Sequence, residues 1–244
     1  MKRSEAGVTL IELLIAVTLV ALLAVGMMIA MRVGLSAMYK SNDRLMSNRR
    51  VASVEKILDA EINGIIPVKA KCTGVGENPG ATVPFFQGDI QAMRLVSTYS
   101  LQQATRGLPM ILEFHVIPGE DGAGVRLVVN EHMYTGPLSS GAFCAGMTQD
   151  ITGASTPNFL PIETNPSSFV LADKLAYCKF SYRFLAPDPK AQPIWLLHWN
   201  KPLLPSAIRV EMAPLEPNSA KLQLVPLTIP IRVTKDPMKD DYEY

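Results

Sequence analysis

Gly7-Val8-Thr9-Leu10-Ile11-Glu12-Leu13-Leu14-Ile15-Ala16 opens an almost uninterrupted apolar run that continues to Met31. A short leader carrying Lys2 and Arg3 precedes it. The run is long enough for a helix that spans a bilayer, which needs about 20 apolar residues. It holds one charge, Glu12, near its start. An acid at membrane depth costs about 2.5–3.5 kcal/mol on insertion scales, so it marks function and needs a partner. A removed secretory signal is the alternative. The run is too long for that, Ala24-Val25-Gly26 is a poor cleavage site, and no cysteine precedes Cys72 to offer a lipoprotein site.

The helical pattern continues past the apolar run. Between Arg32 and Asn63 there is no proline and one glycine, Gly34. Val51, Val54, Leu58 and Ile62 recur at helical spacing, with Arg44, Arg49, Glu55, Lys56 and Asp59 on other faces. Asn63-Gly64 and then Pro67 signal a stop. The expectation is one helix from Thr9 to Ile62, roughly 80 Å long. Gly26 and Gly34 are its weak points.

Beyond Pro67 the pattern changes to strands and turns. Lys69–Gly80 reads as a loop. Met93–Tyr99, Met110–Ile117 and Val125–Tyr134 read as strands, the last two joined by the turn Pro118-Gly119-Glu120-Asp121-Gly122. Gly136–Ser168, rich in Gly, Ser, Thr and Pro, reads as irregular. Leu175–Leu185 alternates, with Ala176, Cys178, Phe180, Tyr182 and Phe184 on one face. Ile194–Trp199, Ala207–Met212 and Lys221–Val233 complete the strands. Trp195 and Trp199 are expected on one strand face, as core or interface anchors. The tail Asp236–Tyr244 is acidic and expected to be solvated.

The decapeptide at residues 7–16 resembles the class III signal of type IV pilins and type II secretion pseudopilins. The resemblance implies a membrane prepilin peptidase that cuts after Gly7 and then methylates the new amine of Val8. Valine replaces the phenylalanine usual after the cut. Glu12 lies one helical turn beyond that amine. It can neutralise its own amine or an adjacent subunit's, and the resemblance implies the neighbour, which sets the register of assembly. A glutamate snorkelling to the headgroups is the plainer reading.

A second resemblance lies in the C-terminal half. Tyr177-Cys178-Lys179-Phe180-Ser181-Tyr182-Arg183-Phe184, Trp195-Leu196-Leu197-His198-Trp199 and Leu204-Pro205-Ser206-Ala207-Ile208-Arg209-Val210-Glu211-Met212 look like the minor pseudopilin J family of type II secretion. The match covers about 40 residues, and minor type IV pilins share parts of it. The implied fold is α+β: a long N-terminal helix, half transmembrane and half amphipathic, under an antiparallel β-sheet head. The implied segments are a cleaved leader 1–7, a transmembrane helix 8–31, its amphipathic continuation 32–64, a periplasmic head 65–235 and the tail 236–244. Other minor pseudopilins (I, K and H types), an inner-membrane assembly platform and the membrane itself are the implied partners. A separate cytoplasmic ATPase would supply the energy.

Charge alone gives a conflicting signal. Arg32, Lys40, Arg44, Arg49 and Arg50 outnumber Lys2 and Arg3, which favours a cytoplasmic C-terminus. Long domains translocate largely regardless of charge, so the resemblance decides for a single-pass inner-membrane protein with a periplasmic head.

Three cysteines, Cys72, Cys144 and Cys178, allow one disulfide and one free thiol in an exported domain. Cys72 and Cys144 are expected in Gly-rich, exposed loops and Cys178 on an apolar strand face, which favours a Cys72–Cys144 bridge. Spacing alone does not fix the pairing.

Other chemistry is sparse. The net charge is +1 and no basic block suggests nucleic acid. His115, His132 and His198 show no metal-ligand spacing and read as structural or surface residues. The turn Gly119–Gly122 lacks the ligand count of a calcium loop. No nucleophile elbow, phosphate loop or dinucleotide fingerprint is present. No catalytic residue, metal or cofactor is expected. The reading is a minor pseudopilin supporting protein export. A minor type IV pilin for adhesion, motility or DNA uptake is the alternative, and a membrane-anchored periplasmic enzyme or binding protein is the third.

Overall fold

A computed structural model describes residues 9–73, 80–101, 105–149, 155–186, 192–216, 225–233 and 235–239, side chains at 43–51, 105–106, 121, 149 and 155 excepted. Residues 1–8, including Gly7 and Val8, lie outside the described residues, as does most of the acidic tail. The chain divides into two compact units, Met1–Arg49 and Arg50–Tyr244.

Helix α1 runs Leu10–Asn63, within one residue of the expected span at each end. In the first unit its described apolar side chains, over residues 10–42, are all exposed, Leu22 at 68% and Met28 at 73% among them. The stretch Leu10–Asn42 is long and apolar enough to cross a membrane, by length and composition. A run of exposed apolar side chains of this length is what a candidate membrane anchor presents.

In the second unit the end of α1 meets an antiparallel sheet. Its strands are β1 (Lys69–Lys71), β2 (Thr82–Pro84), β3 (Gln87–Gly88), β4 (Ala92–Ser100), β5 (Thr105–Pro118), β6 (Val125–Met133), β7 (Cys144–Gln149), β8 (Ser155–Phe159), β9 (Phe169–Phe184), β10 (Ile194–Leu196), β11 (Ala207–Pro214) and β12 (Leu227–Pro230). The main sheet has the order β12-β11-β9-β6-β5-β4-β3, and β10 pairs with the end of β9. The hairpin β1-β2 and the hairpin β7-β8 are separate two-stranded sheets. The overall arrangement is α+β, a long N-terminal helix followed by an antiparallel β domain.

The two sheet faces carry different layers. Val54, Leu58 and Ile62 of α1 pack with Met93, Leu95, Leu112, Phe114, Leu127 and Val129. The alternation of strand side chains places these on one face. On the other face Val96 and Ile111 pack with Val68, Ala70, Cys72, Val83, Phe85 and Cys144. Lys69–Gly80 was expected as a loop, but its first residues form β1, because Val68, Ala70 and Cys72 alternate inward against that second core.

Gly136–Ser168 was expected to be irregular and is largely anchored. It holds the short helix α2 (Pro137–Gly141) and the hairpin β7-β8. Gly141 abuts the Lys71 carbonyl so closely that any Cβ there would overlap it. A buried polar node ties down the far side. Arg94, 1% exposed, donates from Nε to Glu113 at 2.8 Å, from Nη1 to Gln87 at 2.6 Å and from Nη2 to the Leu160 carbonyl at 3.1 Å. Its guanidinium lies 5.2 Å from the Phe143 ring centroid and 5.6 Å from that of Phe159. Asn130 Nδ2 donates to Glu113 Oε2 at 3.0 Å and to the Glu163 carbonyl at 2.9 Å. Burying such charges is costly, and dense partnering is what makes it tolerable.

Strand β9 starts six residues earlier than the alternation suggested. Lys174, at φ 55°, breaks its pleat. Leu175 and Cys178 are both buried, while Ala176 is exposed, contrary to the expected face. A register shift in the β11 pairing at Ala213/Pro214 coincides with the break. Beyond it Cys178, Phe180 and Tyr182 face the core as expected.

The two tryptophans do not share a strand face. β10 ends at Leu196, and the chain bends before Trp199. Trp195 stacks with the Arg209 guanidinium at 4.0 Å. Trp199, 9% exposed, enters the helix-side core beside Tyr182 and Phe184. Its amide donates to the Gly88 carbonyl at 2.7 Å, bridging β3 to the segment after β10. A Cβ at Gly88 would lie 2.8 Å from both Trp199 Cβ and the Tyr182 ring, so only glycine admits this contact. At the opposite border, β12 is preceded by Pro226 and ends in Pro230.

Candidate functional site

The start of α1 is the first candidate. Thr9 precedes the helix and Glu12 sits in its first turn. Glu12 Oε2 accepts from the Thr9 amide and from the Thr9 hydroxyl, each at 3.0 Å. The Glu12 amide donates back to Thr9 Oγ1 at 3.4 Å. This reciprocal arrangement is a capping box, which satisfies amides that the first helical turn leaves without partners. The pattern Thr-x-x-Glu was visible at Thr9–Glu12. Reading Glu12 only as a counter-charge missed Thr9.

In an apolar environment the amides of a first helical turn have no water as a substitute, so the Glu12 carboxylate and the Thr9 hydroxyl supply acceptors from within the chain.

In the head, Cys72 and Cys144 form a disulfide with their Cα atoms 4.9 Å apart. Both are buried in the second core rather than lying on exposed loops. Cys178 is a free, buried thiol, and burial pushes its pKa up to about 12. It is correspondingly unreactive.

The histidines are scattered. His132 Nε2 lies 3.1 Å from Glu113 Oε2, and His198 Nδ1 lies 3.0 Å from Asp89. His115 is 6% exposed, and neither ring nitrogen makes a hydrogen bond of sound geometry among the described residues. Desolvation holds its pKa below the usual value. The acidic turn is used internally, since Glu120 and Asp173 both pair with Arg126. Among the described residues, no three His, Cys, Asp or Glu side chains gather as a metal site.

Glu61 was not singled out from the sequence. It lies on the buried side of α1, beside Ile62, with no solvent exposure. Neither carboxyl oxygen makes a hydrogen bond of sound geometry among the described residues, although the Ser97 hydroxyl faces it. Burial, reinforced by the Glu131 charge, raises its pKa to about 8. Elsewhere in the head a cavity of about 320 Å³ is lined by Ile57, Tyr99, Leu101, Val129, Glu131, Ser167 and Phe169.

Residues 2–31 match the family model described as the prokaryotic N-terminal methylation motif. That motif is the one found in type IV pilin-like proteins. It covers the leader and most of the apolar stretch of α1. No curated protein matches the chain.

Proposed function

We propose that this chain is a minor pseudopilin of a type II secretion system, assembling with other minor pseudopilins near the tip of a periplasmic pseudopilus. The observation that carries the reading is the methylation motif at residues 2–31, continuing without interruption into a long helix that ends in a β head. In this reading a prepilin peptidase/methyltransferase cuts between Gly7 and Val8 and methylates Val8. The apolar part of α1 remains as an inner-membrane anchor with the head in the periplasm. Glu12 receives the amine of the adjacent subunit during assembly. The J-like pattern of the C-terminal strands favours a secretion role and subunits of the I, K and H types as neighbours. The work is structural, with force supplied through the inner-membrane platform.

The absence of a side chain at Gly7 lets the peptidase approach the bond. Mass spectrometry of the purified protein should find N-methyl-valine from Val8 at the N-terminus. Gly7→Val should leave the full-length precursor in the membrane. A terminus near Met27 would instead identify an ordinary signal peptide and overturn the reading. Deletion of the chain from its host should reduce exported enzymes while surface pili persist. Loss of pili with intact export would move the protein to the type IV pilus.

A further inference from the structure

The outward face of β9, β10 and β11 gathers aromatic and cationic side chains. On β9, Cys178, Phe180 and Tyr182 point into the core, so Tyr177, Lys179, Ser181 and Arg183 point the other way. Register places Trp195 opposite Arg183, and Arg209 opposite Ser181. Arg209 therefore crosses β9 above the small Ser181 side chain to reach Trp195, where its guanidinium lies 4.0 Å from the ring centroid. Its Nε donates to Thr228 Oγ1 at 3.4 Å. Arg183 is held by its own neighbour, with Nε donating to Ser206 Oγ at 2.9 Å. Farther along β9, Lys179 Nζ lies 5.0 Å from the Tyr177 ring centroid.

Lys179 and Arg183 are both diagonal neighbours of Arg209, about 7–8 Å away along the sheet. Among the described residues no carboxylate forms an ion pair with any of the three. Glu211 stands opposite Lys179 and offsets part of that charge. Three cations held this close favour a ligand that brings negative charge. Trp, Tyr and Arg are also the side chains that most often anchor protein interfaces. Stacking fixes the Arg209 guanidinium in advance, so little freedom is lost when a carboxylate takes its N–H groups. We propose that this face docks an acidic segment of another polypeptide. Its Asp or Glu carboxylates meet Arg209, Arg183 and Lys179, while Trp195 and Tyr177 supply apolar contact. Nucleic acid fits less well, because three cations fall short of the roughly 6–10 phosphate contacts that give strong binding, and the chain's net charge is only +1. The surface belongs to the head, so docking does not depend on cleavage at Gly7.

The test uses the full chain in phosphatidylcholine nanodiscs with isotope-labelled tryptophan. The Trp195 indole N–H signal, identified by its loss in Trp195→Phe, is followed during titration with hexaglutamate blocked at both ends. A saturable shift is expected, and hexalysine should cause none. Arg209→Gln and Arg183→Gln should each weaken binding about tenfold, the worth of a lost charge-assisted hydrogen bond. Glu211→Gln should tighten binding about threefold by removing a like charge, a gain that misfolding cannot imitate. Lys201→Gln, a cation over the Phe184 ring on the core side of β9, should leave affinity unchanged. No saturable shift, unchanged affinity in either arginine variant, or no gain in Glu211→Gln would overturn the proposal. Tighter binding of a single-stranded DNA hexamer than of hexaglutamate would overturn it in favour of nucleic acid.

Discussion

Thr9 and Glu12 cap each other at the start of α1: the carboxylate accepts from the Thr9 amide and hydroxyl, and the Thr9 hydroxyl accepts from the Glu12 amide. An acid that is costly in a membrane thereby has a task inside its own chain. The cap and the counter-charge are separable, because one needs hydrogen bonding and the other needs charge.

Thr9→Val keeps the β-branched shape but removes the hydroxyl. The first turn of α1 should fray, at a cost of about 1 kcal/mol. Hydrogen exchange in nanodiscs should show faster exchange at the Ile11–Leu13 amides, while Thr9→Ser restores protection. Unchanged exchange in Thr9→Val would show that the hydroxyl does not cap the helix.

Glu12→Gln retains an acceptor for the cap and loses the charge. Cleavage at Gly7 and membrane insertion should persist, and hydrogen exchange in the first turn should stay near wild type. Co-purification with neighbouring subunits should fall, as it should in Glu12→Ala. Full recovery of partners with Glu12→Gln would assign Glu12 to the cap alone.

The Cys72–Cys144 bridge joins positions 72 residues apart. Closing a loop of that size stabilises a fold by about 4 kcal/mol through chain entropy. The Cys72→Ser/Cys144→Ser double variant should unfold at markedly lower urea concentration. Peptide mapping without reduction should recover the two cysteines together and Cys178 free. A bridge containing Cys178 would contradict the structure.

Glu61 and His115 give the head opposite responses to pH. The folded pKa of Glu61 is raised to about 8 from an ordinary 4.5, so the folded state holds its proton more tightly. Its contribution is fully present below about pH 4.5 and is lost as pH rises through about 8, a span worth on the order of 3–5 kcal/mol. His115 has a lowered folded pKa, so its contribution is present above the ordinary histidine value and is lost on acidification. Denaturant titrations should show Glu61→Gln flattening the fall in stability between about pH 4.5 and 8. His115→Phe should remove the opposing loss on acidification below the ordinary histidine value. A fall unchanged by Glu61→Gln would assign it to another group.

Much of the fold was legible because its signals are local. The apolar run, the proline-free stretch to Asn63 and the strand alternation around Phe180 and Tyr182 needed no knowledge of distant contacts. The errors arose where distant partners decide. Trp195 and Trp199 were expected on one face, but Gly88 draws Trp199 out of the strand into the core. Gly136–Ser168 has a loop-like composition, yet Arg94, Asn130 and the disulfide tether it. At the candidate site, Glu12 stood out by its charge in an apolar run. Thr9 was legible as the first residue of a Thr-x-x-Glu pattern, but the lone charge drew the reading to Glu12 alone. Glu61 looked like one more acid on an amphipathic helix, and only packing shows that it faces inward.

The treatment of the two sheet borders also bears on how copies of the head can meet. An open edge strand offers its backbone to any neighbouring strand and invites uncontrolled growth. Here one border is bridged by Trp199, and the other ends in a proline that has no amide to donate. Such a head can be concentrated in a crowded compartment with little tendency to zip into continuous β-structure. At these two borders, contacts between heads are left chiefly to side chains, whose chemistry can tell one neighbour from another where a bare backbone edge could not.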